Sequence, residues 1–130
     1  MDSNQDGLTV AQMSAATGLS GHTLRYYERI GLILPIARNT GNQRRYSPAD
    51  VQWLQFLLRL RETGMPVAMM RDYAELRSQG PGTTEARLRM LEAHQVQLAE
   101  QIRTLSAHQQ ALDAKIGIYQ KTLKEQHHEK

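Results

Sequence analysis

The last third of this chain constrains it most. From Thr84 to Gln126 no proline interrupts the sequence, and apolar residues recur at alternating intervals of three and four: Leu88, Leu91, Leu98, Ile102, Leu105, Leu112, Ile116, Tyr119 and Leu123. Gln95 and Gln109 fill the two remaining seam positions, and Gly117 is the only helix-weakening residue inside the run. This is a heptad a/d pattern held for about five repeats, the signature of a coiled coil. A stripe so narrow cannot bury itself against its own helix, and the chain offers no second helix of similar length. The spacing therefore predicts pairing with the same helix of a second copy, a homodimer. Residues 81–126 are read as the dimerisation helix, with Leu88, Leu91, Leu98, Ile102, Leu105, Leu112, Ile116 and Tyr119 as its contacts, and 127–130 as a tail. Parallel and antiparallel pairing both satisfy the heptads.

Upstream of the Gly80-Pro81-Gly82 break the pattern is of short helices with clear punctuation. Thr9 reads as an N-cap with Gln12 completing a capping box, and Gly18 ends a helix from Val10 to about Thr17. Ser20 caps a second helix that runs to about Ile30, before Gly31. Ser47-Pro48-Ala49-Asp50 opens a third, with a cap, proline in the first turn and an acid at the third position, running to about Thr63. Pro66 opens a fourth, ending near Gln79. Between the second and third helices, Pro35, Asn39, Gly41 and Asn42 predict an irregular stretch with a hairpin turn near Thr40-Gly41-Asn42. The expected organisation is a loosely attached arm over 1–8, a small helical domain over 9–80 (hairpin about 35–47, helix pair 48–79), and the long helix.

Composition removes several chemistries. Cysteine is absent, which excludes disulfides, thiolate metal sites and cysteine nucleophiles. There is no phosphate-cradling glycine loop and no His–carboxylate set at catalytic spacing, so no enzyme is expected and no cofactor is implied. His94 and His108 share a heptad position, but two solvated imidazoles so far apart along a helix do not chelate, and no metal site is expected. The start, MDSNQDG, is polar without an apolar stretch behind it, and no apolar run approaches the roughly 20 residues that span a bilayer. A cytoplasmic protein without membrane contact is the expectation. Net charge is only +3, yet from Ser20 to Ser47 five arginines (25, 29, 38, 44 and 45) face a single acid, Glu28. A polyanion would dock there.

Two short helices joined by a glycine-containing turn are the sequence form of a helix-turn-helix. Met13, Leu19 and Leu24 sit where the helices must pack. The second helix carries Thr23-Leu24-Arg25-Tyr26-Tyr27-Glu28-Arg29-Ile30-Gly31-Leu32, and the hairpin ends in Arg44-Arg45-Tyr46-Ser47-Pro48. Together these closely resemble the recognition helix and wing of the MerR family of transcription regulators, and Gly64-Met65-Pro66 resembles that family's junction between third and fourth helices. The order of parts matches from Leu8 to the end.

The resemblance implies a mostly α fold: a winged helix-turn-helix with a small β-hairpin wing and a long C-terminal helix in an antiparallel coiled coil. It implies a regulator that binds double-stranded DNA as a homodimer on a nearly palindromic promoter operator, bending and untwisting it for RNA polymerase. It puts Thr23, Arg25, Tyr26, Arg45 and Tyr46 at the DNA surface. From the residues themselves, Arg25 and Tyr26 can reach phosphates or base edges from a helix in the major groove, Arg44 and Arg45 can grip the flanking backbone, and Arg38 and Asn42 are further candidates. Leu24 and Tyr27 read as core, and Tyr46 has a second reading, packed under the hairpin.

No appended effector domain is expected, and without cysteine the thiolate sensing of many relatives is closed to this chain. Trp53, Phe56 and Tyr73 are candidate linings of a pocket for a small apolar ligand, with ordinary core packing as the competing reading. The alternative to a regulator is a ligand-independent architectural DNA-bending protein or a coiled-coil adaptor.

Overall fold

The computed structural model describes residues 7–33, 41 and 45–128. Within them the chain forms α1 (Val10–Thr17), α2 (Gly21–Arg29), α3 (Pro48–Glu62), α4 (Val67–Ser78), a 3-10 turn (Pro81–Thr83) and α5 (Thr84–His128). The helix starts follow from local chemistry. Thr9 Oγ1 accepts from the Gln12 N–H at 3.1 Å while the Gln12 side chain accepts from the Thr9 N–H at 2.9 Å. Ser47 and Asp50 make the same reciprocal pair at 3.1 and 2.8 Å. Each box satisfies two backbone donors that a helix start otherwise orphans. Between α1 and α2, Gly18 adopts φ 77° and donates its N–H to the Ser14 carbonyl at 2.7 Å. That left-handed cap lets the chain turn within three residues.

Two compact units divide after Leu91. The first is a helical head. α1 packs on both α2 and α3, and α3 packs on α4. Its core gathers Met13 from α1, Leu24 and Tyr27 from α2, Leu32 and Ile33 from the turn beyond it, Leu54, Leu57 and Leu60 from α3, and Met70 from α4. Met90 and Leu91, in the first turns of α5, pack against this core. The head thus extends past the Gly80-Pro81-Gly82 break, and Leu91, expected in the dimer seam, is partly engaged within the head.

The arm expected over 1–8 is tied down at its end. Leu8 and Tyr46 form an isolated antiparallel bridge, each N–H donating to the other's carbonyl at 2.8 Å. Gly7, at φ 77°, lies so close that a Cβ there would fall 2.4 Å from the Tyr46 carbonyl oxygen. Glycine is the residue that fits such an approach. This bridge is the only β pairing among the described residues; most of the expected wing, including Arg38, Asn42 and Arg44, lies outside them.

The second unit begins at Glu92 and continues α5 to its end. From Gln101 to His128 every residue is exposed. His94 is the exception near its start, buried rather than solvated as expected.

Candidate nucleic-acid interface

α2 divides its residues sharply between two faces. Leu24 and Tyr27 point into the core, at 0 and 3% exposure. His22, Arg25, Tyr26 and Arg29 are all exposed. Their spacing of three, four and seven puts them on one side of the helix. The Arg29 guanidinium lies 5.6 Å from the centre of the Tyr26 ring, and the Tyr26 and Tyr27 rings are 6.1 Å apart. The outcome is a short helix whose outer face offers two guanidiniums, a phenol and an imidazole. Such groups donate to phosphate oxygens and to the acceptor edges of bases.

Of the expected contacts, Arg25 and Tyr26 stand on this face. Thr23 is half-buried, its N–H donating to Ser20 Oγ at 3.1 Å and its hydroxyl 3.0 Å from the Ser20 hydroxyl, so it also serves the cap of α2. Arg45 is half-buried. Tyr46 requires a correction. Its side chain is 1% exposed, and its backbone is bridged on both sides to Leu8, so the ring belongs to the core and not to a DNA-facing surface. Arg29 stands in the sequence reading only as one of the five arginines of the basic stretch, and His22 is absent from it. The signal was available, since both fall on the helical face of Arg25 and Tyr26.

Beneath α2, two side chains of α3 hold the helix and its exit turn. Arg61 Nη1 donates to the Tyr27 hydroxyl at 2.6 Å, and Trp53 Nε1 donates to the Leu32 carbonyl at 2.9 Å.

The expected effector lining comes together as packing. Trp53 and Tyr73 stack at 5.9 Å, and Phe56 lies 6.2 Å from Trp53 and 5.8 Å from Tyr73. These rings fill one another's space instead of enclosing a ligand cavity. Of the three, only Trp53 lines the adjoining cavity of about 510 Å3, whose other walls include Arg71, Asp72, Glu75 and Arg77. That lining is charged, and the Arg77 guanidinium covers the Trp53 ring at 4.1 Å. No group of three or more potential metal ligands occurs among the described residues.

On α5 the seam residues Leu88, Ile102, Leu105, Leu112, Ile116 and Tyr119 are 52–68% exposed. Leu98 is half-buried.

Two family descriptions match this chain: "MerR HTH family regulatory protein" over residues 8–77 and "MerR, DNA binding" over residues 51–115. Among characterised relatives, the HTH-type transcriptional regulator AdhR of Bacillus subtilis is 36% identical over 93 residues, which are 72% of this chain and 66% of AdhR. An uncharacterised HTH-type transcriptional regulator of Haemophilus influenzae is 34% identical over 87% of this chain and 84% of its own length. Among solved structures, HiNmlR, a MerR family regulator lacking the sensor domain and bound to promoter DNA, superposes with a TM-score of 0.79 at 34% identity, covering 87% of this chain and 90% of HiNmlR.

Proposed function

Because the chain belongs to the MerR family of helix-turn-helix regulators and is a DNA-binding transcription regulator of that type, we propose that it works as an antiparallel homodimer on a nearly palindromic promoter operator. The observation that carries this reading is the exposed heptad seam of α5. Six large apolar side chains at more than half exposure along one stripe are an unfinished core. Pairing centred between Ile102 and Leu105 sets Gln95 against Leu112 and Leu98 against Gln109. A two-fold dimer presents two copies of α2, and so reads an inverted repeat.

In this reading Arg25 and Tyr26, with His22 and Arg29 beside them, meet the major groove. Thr23 supports them from the cap, and Arg38, Asn42, Arg44 and Arg45 on a hairpin wing grip the flanking backbone. Bending and untwisting the promoter costs on the order of 1–6 kcal/mol, which these contacts offset, and the deformed DNA is then presented to RNA polymerase. No catalysis is assigned, and a cytoplasmic location follows from the role; no helix among the described residues is long and apolar enough to cross a membrane. The packing of Trp53, Phe56 and Tyr73 on one another favours a second reading, DNA bending without a small-molecule effector.

Selection of bound sites from random DNA, with dimer mass measured by sedimentation, tests the proposal. One recovered inverted repeat bound by a dimer is the expected result. A folded monomer, or a dimer that enriches no sequence, overturns it. Equal DNA bending with and without cell extract separates the effector-free reading from the ligand-controlled one.

A further inference from the structure

We infer that Arg61 is a positioning residue for DNA recognition, setting the angle of α2 through the hydroxyl of Tyr27. The inference rests on the reading of α2 as the DNA-facing helix. α2 is nine residues long, and among the helices its backbone approaches only α1: no Cα of α2 lies within 8 Å of a Cα of α3. Side chains span that gap instead. Tyr27 leaves the inner face of α2, buried to 3%, and Arg61 in the last turn of α3 donates to its hydroxyl at 2.6 Å. The backbone of Tyr27 is held as well, its carbonyl accepting from the Leu32 N–H at 2.9 Å. The Leu32 carbonyl in turn accepts from Trp53 Nε1 at 2.9 Å.

α2 is therefore joined to α3 by two tethers, one at Arg61 and one at Trp53. At 1.5 Å per residue their origins are about 12 Å apart along α3. Two separated tethers fix both the position and the tilt of a short helix; one fixes position alone. The Trp53 tether ends in the turn beyond α2, while the Arg61 tether ends on α2 itself, one residue from Tyr26. The bond is charge-assisted, the stronger class of protein hydrogen bond. Arg61 is itself exposed, so its removal leaves no buried charge and spares the apolar core. A recognition surface depends on rigid support of this kind, because a small error in helix angle moves every contacting atom.

The test uses the full chain carrying Arg61→Met, Arg61→Lys, Tyr27→Phe, or Arg61→Met with Tyr27→Phe. Each binds a duplex selected by the wild type and a scrambled duplex of equal length, across a salt series, with thermal unfolding run in parallel. Arg61→Met and Tyr27→Phe should each weaken the selected duplex by roughly tenfold, the scale of one hydrogen bond to a charged group. The double variant should lose no more than either single one. Affinity for the scrambled duplex and the salt slope should not change, and Arg61→Lys, which keeps a donor, should recover part of the loss. Additive losses, or a salt slope lowered by about one with both duplexes weakened alike, would make Arg61 a phosphate contact and overturn the inference. Wild-type binding by every variant would also overturn it, leaving the bond with a purely structural role. A wild type that prefers no duplex over the scrambled one instead overturns the reading of α2, and this inference with it.

Discussion

The head and the C-terminal part of α5 are built from the same helical chemistry and solve opposite problems. The head closes a core of fourteen buried apolar residues among those described, around helices of eight to fifteen residues, each too short to persist alone in water. α5 runs for 45 residues, and His94 is its single buried residue among those described. Its helicity comes from length and composition, while its apolar stripe is left unsatisfied. The contrast separates two sources of order. In the head, the residues that close the core come from one chain. In α5, the secondary structure is local, and in the proposed dimer the burial it lacks comes from a second copy.

The largest test of that contrast is Leu105→Ala on α5, 68% exposed in the single chain. If the seam pairs as proposed, each truncation loses about 1.5–3 kcal/mol of burial, and two-fold symmetry doubles it to roughly 3–6 kcal/mol per dimer. Sedimentation equilibrium should show the dimer dissociating at concentrations where the wild type stays paired. An unchanged mass would leave the seam without a partner helix and break the comparison. Leu57→Ala in α3 probes the other side. Leu57 is fully buried in the head, and its truncation should cost about 2–5 kcal/mol of head stability. Denaturant unfolding should detect this independently of protein concentration, whereas the effect of Leu105→Ala should depend on it.

What the sequence disclosed divides along the same line. Helix starts were legible because their determinants lie three residues apart: Thr9 with Gln12, Ser47 with Asp50. The seam of α5 was legible because periodicity is local. The burial of Tyr46 was not, because it depends on Leu8, 38 positions away, closing a bridge that only Gly7 permits. The Arg61–Tyr27 bond, spanning 34 positions, carries no local signal either. Trp53, Phe56 and Tyr73 come together in the head, yet composition alone does not distinguish rings that line a cavity from rings that fill one. His22 and Arg29 are within reach of helical geometry, because their spacing from Arg25 and Tyr26 sets all four on one face of α2.

That face yields a smaller and more specific expectation. Arg25→Ala removes an exposed guanidinium, so the head should unfold at the wild-type midpoint. Its affinity for the selected operator should fall by about 1–3 kcal/mol in a titration at fixed salt. Equal operator binding by mutant and wild type would move the DNA contact off this face of α2. A drop in stability of similar size would show that Arg25 supports the head rather than the interface.

The smallest effect sharpens the claim that the head is a single cooperative body. Ser47→Ala deletes the side-chain half of the α3 capping box, in which Ser47 Oγ accepts from the Asp50 N–H at 3.1 Å. Caps of this kind contribute about 0.5–2 kcal/mol. Ser47 follows Tyr46, whose backbone closes the bridge to Leu8, so the cap stands between the tied-down arm and the start of the core helix. If the head unfolds as one body, the loss should appear as one shifted transition of unchanged steepness, reported alike by Trp53 fluorescence and by far-ultraviolet circular dichroism once the signal of α5 is subtracted. Two separated transitions would mean that the Leu8–Tyr46 bridge and the start of α3 come apart before the rest. The head would then be two bodies, and its contrast with α5 a difference of degree.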